Sequence, residues 1–537
     1  MNDLEYYELH KNAKREYLAK GKKYITFDKD WSFEKTDLDI SFALDDLKTC
    51  LKKSFAVELS DKGKNKIAFA IEETAYDFII KVEENSVLFK ASDEFMLIQA
   101  IYYAEDIMKQ FGDASLEKKD YEISVKNKNR IATSALENGV YTEEYLNILL
   151  HFGYNGVIFY EHDEKSLKLV RKAKLKAYLC ADELCYEKLY DGIISEKSNI
   201  VSLENKDNKI DFIKNLDKNT TVILPFDENQ NIERDGVSFK TKSGSLVMAQ
   251  PSDEFVECYK LAKEKGIQVW VLNYSGGRTT EFGAVPYIPA MMQWFMRSVS
   301  LSEFEIQATV ECGNYGFVPS IVGEYTKMQN FSPCDEGGIC IQKLAAMHFG
   351  PENTEKVMMA FKKVTDGVNY LVYNYADFEG PMQFGPAYPL INGKLYEYDF
   401  DKYDITLETD VNLKAADCFN KATMILSHIE NSEAKNLMYI LNFAVNTLVT
   451  CANTKRWYRR IDALEKNDTD YKQKFLYEQM LKIGEQEIKN AYDTAEILIN
   501  APFLEGNNTD LLCTANALDA KIRLTENAIN EIRKKVL

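Results

Sequence analysis

The chain has 537 residues, 66 Lys and Arg against 84 Asp and Glu, a formal net charge of −18, and a composition that is 45% hydrophobic and 12% aromatic. That is material for about two to four packed domains and excludes a disordered chain. The acidic balance disfavours phosphate-backbone and anionic-membrane binding, so neither a nucleic-acid nor a membrane partner is expected, while a neutral ligand suits the 32 Tyr and 29 Phe.

The first two dozen residues are polar and charged, with none of the apolar core of about 7–15 residues that a signal peptide needs. The ten cysteines form no C-x-x-C pair and only five histidines are present, so reduced thiols in a cytoplasmic protein are expected, with no metal cluster and no cofactor. Residues 66–73 and 77–91 alternate apolar and polar positions and read as strands. A helix follows over 92–112, with Ser92 as its N-cap and Phe95, Ile98, Ile101, Ala104 and Met108 at helical spacing. Strands plus one amphipathic helix describe an α+β domain, which the charged stretch 117–130 leaves.

From Ile131 the rhythm becomes strand–helix alternation. Strands are expected at 131–136, 156–160, 176–179, 200–204, 220–226, 267–272 and 305–311, with helices at 142–153, 164–175, 209–217 and 252–266. Repeated βα units imply parallel strands with right-handed crossovers; no G-x-G-x-x-G or G-x-x-x-x-G-K-[ST] follows a strand, which favours a barrel over a nucleotide-binding open sheet. After about Ser320 the pattern is helical almost throughout. The fold class is therefore α/β, a TIM (β/α)8-type barrel (126–375) between an N-terminal α+β domain (1–125) and a C-terminal all-α domain (376–537). Helical tails often pair with a second copy, which leaves a homodimer open.

Barrel enzymes carry their chemistry just beyond the C-terminal ends of the strands. Those positions hold Glu161, His162, Asp163 and Glu164; Asp182 and Glu183; Asp227, Glu228 and Asn229; Asn273, Tyr274 and Arg278; and Glu311 with Tyr315. Carboxylates, amides and tyrosines dominate this set, which suits glycoside hydrolysis: one acid protonates the leaving oxygen while another group stabilises the oxocarbenium-like centre. Aromatics such as Trp294 would stack on sugar rings. Simpler readings stand beside these. Residues 161–164 fit a helix N-terminus, Arg278 fits a partner for Glu281, and adjacent acids are common in so acidic a chain. Asp227-Glu228 stands out because an uncharged apolar strand delivers it to the barrel mouth.

With these parts in this order the chain resembles the glycoside hydrolases related to family 20 β-N-acetylhexosaminidases and the α-glucuronidases, in which an accessory α+β domain precedes a catalytic barrel. Residues 84–108 look like the strand-then-helix end of that domain, and 273–295, 311–325 and 379–390 look similar to hydrolase-like proteins of the group that end in helices. The resemblance implies that Glu228 is the general acid/base and that Asp227 orients a 2-acetamido nucleophile, with Tyr274 or Tyr315 donating to it. A second version makes Glu311 the nucleophile or base opposite Glu228. The expected function is an exo-acting glycosidase on a carbohydrate substrate. The alternatives are a barrel that kept sugar binding or a scaffold role without catalysis, and, behind it, a metal-dependent hydrolase using His162, Asp182 and Glu228.

Overall fold

The computed structural model describes residues 23–536, apart from 137–138, 160–162, 182–183, 189–199, 275–279, 283–284, 312–315, 392–397, 401–402, 467–469 and 506–512. The N-terminal part is a six-stranded mixed sheet in the spatial order 331–332, 120–125, 78–82, 86–91, 65–71, 31–33. Alternation decides its faces: Phe78, Ile80 and Val82, with Val87, Phe89 and Ala91 beside them, are buried, while the intervening residues are partly exposed or exposed. The helices Ser41–Phe55 and Glu94–Phe111 pack together, the second against the sheet. Asp93, not Ser92, caps the latter: its side chain accepts the Met96 N–H at 2.8 Å, and Gly112, at φ +71°, ends the helix in the left-handed region.

Eight strands close into a barrel, in the order Lys176–Ala181, Leu184–Lys188, Ile200–Ser202, Thr221–Pro225, Gln268–Leu272, Ala308–Val310, Arg130–Thr133 and Gly156–Phe159. Seven are mutually parallel, whereas Leu184–Lys188 runs antiparallel to both neighbours. The βα rhythm thus has a hairpin where a further βα unit was expected. Two residues separate Ala181 from its pairing partner Leu184, and a connection that short can make only a hairpin, since a parallel crossover needs a dozen or more. Ile131, Ile158, Tyr178, Ile200, Ile223, Trp270, Leu272, Ala308 and Val310 fill the interior. Val201, Val222, Leu224, Val269 and Val271 point the other way, onto the helices Lys209–Lys214 and Asp253–Glu264.

Beyond the last barrel strand, Ile321–Asn330 is helical, and Phe331–Ser332 returns to the N-terminal sheet to pair with 124–125. Helices Gly337–Phe349 and Thr354–Val368 lead to four long ones, Ile405–Leu426, Ser432–Glu465, Asp470–Asn500 and Ala515–Val536, each packed on the next. No described helix is long and apolar enough to cross a membrane. One contiguous hydrophobic core runs from Ile25 in the N-terminal part, through the barrel helices, to Ile522 in the last helix.

Candidate active site at the barrel mouth

Strand parity sets which side chains reach the mouth. Ile200 and Ile223 face inward, so Glu204 and Asp227, four residues beyond each, continue the inward rows; Tyr274 itself belongs to the interior cluster. The Tyr274 hydroxyl donates to Glu204 Oε1 at 2.8 Å. Glu204 is partly exposed, yet burial raises its pKa above the ordinary carboxylate value; hydrogen bonds from Ser243 and Tyr274 oppose that and the charge of Asp227 reinforces it.

Asp227 is fully buried. Its Oδ2 lies 2.8 Å from Arg297 Nη2, and its Oδ1 accepts the Gly244 N–H at 3.0 Å. Burial raises its pKa in spite of the guanidinium. Arg297 is itself fixed by Asn273 Oδ1, by the Met248 carbonyl at 3.1 Å and by the Phe226 ring beneath it. Asp227 therefore pins the loop 241–248 across the mouth. Gly244 sits there at φ +77°, with the Tyr274 ring so close that a Cβ would meet it at 2.9 Å. Glu281 fastens the same loop by accepting from Ser245 Oγ and the Leu246 N–H.

Glu228 is nearly buried; Oε1 accepts the Asn205 N–H at 3.0 Å and Oε2 lies 3.1 Å from Lys209 Nζ. Burial raises its pKa, the lysine opposes this, and the charge of Glu204 adds to it. Burial alone would depress the Lys209 ammonium, but Glu254, at 2.9 Å, and Glu228 outweigh it and hold its pKa above the ordinary value. Glu204, Asp227 and Glu228 are thus electrostatically coupled neighbours on adjoining strand ends. Asn229, at φ +66°, sits in the following turn and donates to Glu254 Oε2 at 2.8 Å, so it shapes the turn and ties it to the Asp253–Glu264 helix.

Glu311 does not join this group. Ala308 and Val310 face inward, so Thr309 and Glu311 face outward, toward Arg130. Arg130 grips both Glu311 oxygens at 2.8 and 2.7 Å, with Thr309 Oγ1 at 2.7 Å and the Tyr154 hydroxyl at 3.1 Å. Burial pushes its pKa up, but Arg130 outweighs this and holds the carboxyl below its usual range. Trp294 is likewise no sugar platform: it is 3% exposed, on the core side of Met291–Leu301, and its Nε1 donates to the Ile288 carbonyl. Asn273 orients Arg297 rather than facing the mouth. His162, Asp182, Glu183, Arg278 and Tyr315 lie outside the described residues.

The residue missed from sequence is Glu204. It closes the strand-like run IVSLE, and the rule that singled out Asp227 and Tyr274 applies to it equally.

No family model and no curated protein matches the sequence. Among solved structures, the chain is similar to a GH138 enzyme targeting pectin rhamnogalacturonan II (TM-score 0.52, 10% identity, 94% of this chain and 99% of the other covered). It is also similar to a GH115 4-O-methyl-α-glucuronidase with specificity for decorated arabinogalactans (0.51, 10%, 88% and 78%). A Flavobacterium johnsoniae chitobiase of family GH20 scores 0.39 at 9% identity over 87% and 96%, too low to bear on the site. The chain thus has a glycoside hydrolase-like fold, comprising an N-terminal mixed sheet, a curled parallel barrel-like sheet and a helical C-terminal region.

Proposed function

We propose that this chain is a glycosidase that removes a terminal sugar from a glycan, with Glu204 as the proton donor and Glu228 as its ionised partner. The observation that carries the reading is a partly exposed glutamate at the barrel mouth whose pKa burial raises, beside a glutamate whose charge a buried lysine balances. A raised pKa shifts a carboxyl toward its protonated form, as a general acid requires, and at Glu228 the ammonium of Lys209 opposes that shift. Asp227, fully buried and held by Arg297 and Gly244, is a positioning residue that is not free to orient an acetamido group, so none of the described residues at the mouth favours a 2-acetamido sugar. The loop at Gly244 narrows the mouth against Tyr274, which suits a chain end better than a continuous polymer. One observation favours catalytic silence with retained sugar binding: all three carboxylates already have protein partners.

A panel of aryl glycosides, N-acetylhexosaminides and uronides included, separates these readings. Glu204→Gln should lower turnover by about 10²–10⁴-fold on substrates with poor leaving groups and far less on dinitrophenyl glycosides, which need no proton. Glu228→Gln should fail on both. Wild-type activity should fall as pH rises through the elevated Glu204 pKa, because the donor is then ionised. Wild-type rates in both variants would reject these roles, and binding of a sugar without turnover anywhere in the panel would favour the silent barrel.

A further inference from the structure

Away from the mouth, three helices bring a second polar cluster into the core where the N-terminal part meets the barrel. Asp46 comes from Ser41–Phe55, Glu105 from Glu94–Phe111, and His151 ends Glu143–His151, the first barrel helix. All three are buried, and their ligand atoms lie within 4.8 Å of one another. His151 Nε2 is 2.8 Å from Asp46 Oδ2 and 3.2 Å from Glu105 Oε2. Glu105 is 0% exposed, and neither of its oxygens accepts a hydrogen bond among the described residues. A core carboxylate without hydrogen-bond donors is costly unless neighbouring positive charge compensates it.

We propose that Asp46, Glu105 and His151 bind a divalent transition-metal ion, zinc-like in its preference for one imidazole and two carboxylates, that staples the N-terminal part to the barrel. Tetrahedral zinc with bonds of about 2.1 Å places neighbouring donors about 3.4 Å apart, so an ion seated among these three would spread Asp46 and Glu105 slightly from the 2.8 and 3.2 Å they now keep from His151 Nε2. With Nε2 on the metal, Nδ1 carries the proton on the side where Asp106, itself paired with Lys327, lies 4.0 Å away, beyond direct hydrogen-bond reach. The Tyr102 ring, centred 4.2 Å from the imidazole, holds its orientation. Lys109, a turn beyond Glu105, supplies one positive charge. Among the described residues, three carboxylates (Asp46, Glu105, Asp106) outnumber the two ammonium groups (Lys109, Lys327) around the site, and a divalent ion would more than balance the excess.

Tag-free full-length protein, stripped of metal and titrated with Zn²⁺ by calorimetry, should take one equivalent and gain several degrees in melting temperature. Glu105→Gln, nearly isosteric, should weaken binding about tenfold or more. X-ray absorption on the wild-type zinc complex should show one imidazole with oxygen in the remaining positions, a readout that needs no variant to fold. Binding of less than about 0.2 equivalents, unchanged affinity in a folded Glu105→Gln protein, or a shell containing sulfur or two imidazoles would each overturn the proposal. Glycosidase activity has no part in the readout, so this site and the mouth stand or fall separately.

Discussion

Two glutamates, each beside a buried cation, have pKa values shifted in opposite directions because their cations are held differently. Lys209 divides its charge between Glu228 and Glu254, and burial still raises the Glu228 pKa. Arg130 gives both forks of its guanidinium to Glu311, where Thr309 and Tyr154 add donors, and the carboxyl is held below its usual range. Removing one partner of such a buried pair leaves an uncompensated charge, so Arg130→Met should cost about 3–5 kcal/mol in urea unfolding. The pH dependence follows from the direction of the shift. A lowered folded-state pKa gives stability that is present above the unfolded value of about 4.3 and is lost as pH falls through the folded value. Wild-type protein should therefore lose stability over that acidic window more steeply than Glu311→Gln, in matched urea titrations. Equal slopes would mean that the pair contributes nothing to folding.

At the scale of elements, the loop 241–248 joins the barrel's chemistry to its framework. Asp227 and Glu281 hold it from below, Arg297 takes its carbonyls, and Gly244 lets it touch Tyr274. An alanine at 244 would occupy the left-handed region and press its Cβ on the Tyr274 ring, at about 1–3 kcal/mol. The ring that donates to Glu204 would have to move, so Gly244→Ala should depress turnover more than it depresses the melting temperature; a loss confined to stability would separate the loop from the site. Local chemistry made many elements legible. The helices expected from 142 and 252 begin where Thr142 and Ser252 cap them with a side-chain oxygen, and the uncharged run before Asp227 marked a core strand. The Leu184–Lys188 strand escaped because the acids just before it in the sequence read equally well as a helix start. Glu311 was misplaced for a different reason: position after a strand fixes the end of the barrel, whereas parity fixes inside or outside, and parity requires the register. Spacing likewise gave no hint of Asp46, Glu105 and His151, which stand 59 and 46 residues apart and meet only through helix packing.

The whole molecule is more tightly knit than three successive composition patterns suggest. Phe331–Ser332 leaves the barrel to complete the N-terminal sheet, a pairing across some 200 residues that no local signal announces. One continuous apolar core then links that sheet's helices, most of the barrel's outer helices and the C-terminal bundle, beside smaller clusters inside the barrel, under Lys209–Lys214 and Asp253–Glu264, and around Trp457. Separate cores would allow separate melting, whereas a shared core makes the loss of one part expose apolar surface on the next, which couples their unfolding. The four tryptophans are placed to test this, since Trp31 lies in the N-terminal sheet, Trp270 and Trp294 in the barrel and Trp457 in the bundle. In a variant that keeps only Trp31, with phenylalanine at the other three positions, fluorescence reports the sheet while far-UV circular dichroism reports chiefly the long C-terminal helices. Their urea midpoints should coincide within about 0.2 M, and so should those of the variant that keeps only Trp457. Distinct midpoints in either protein would show that the parts unfold independently despite the continuous packing between them.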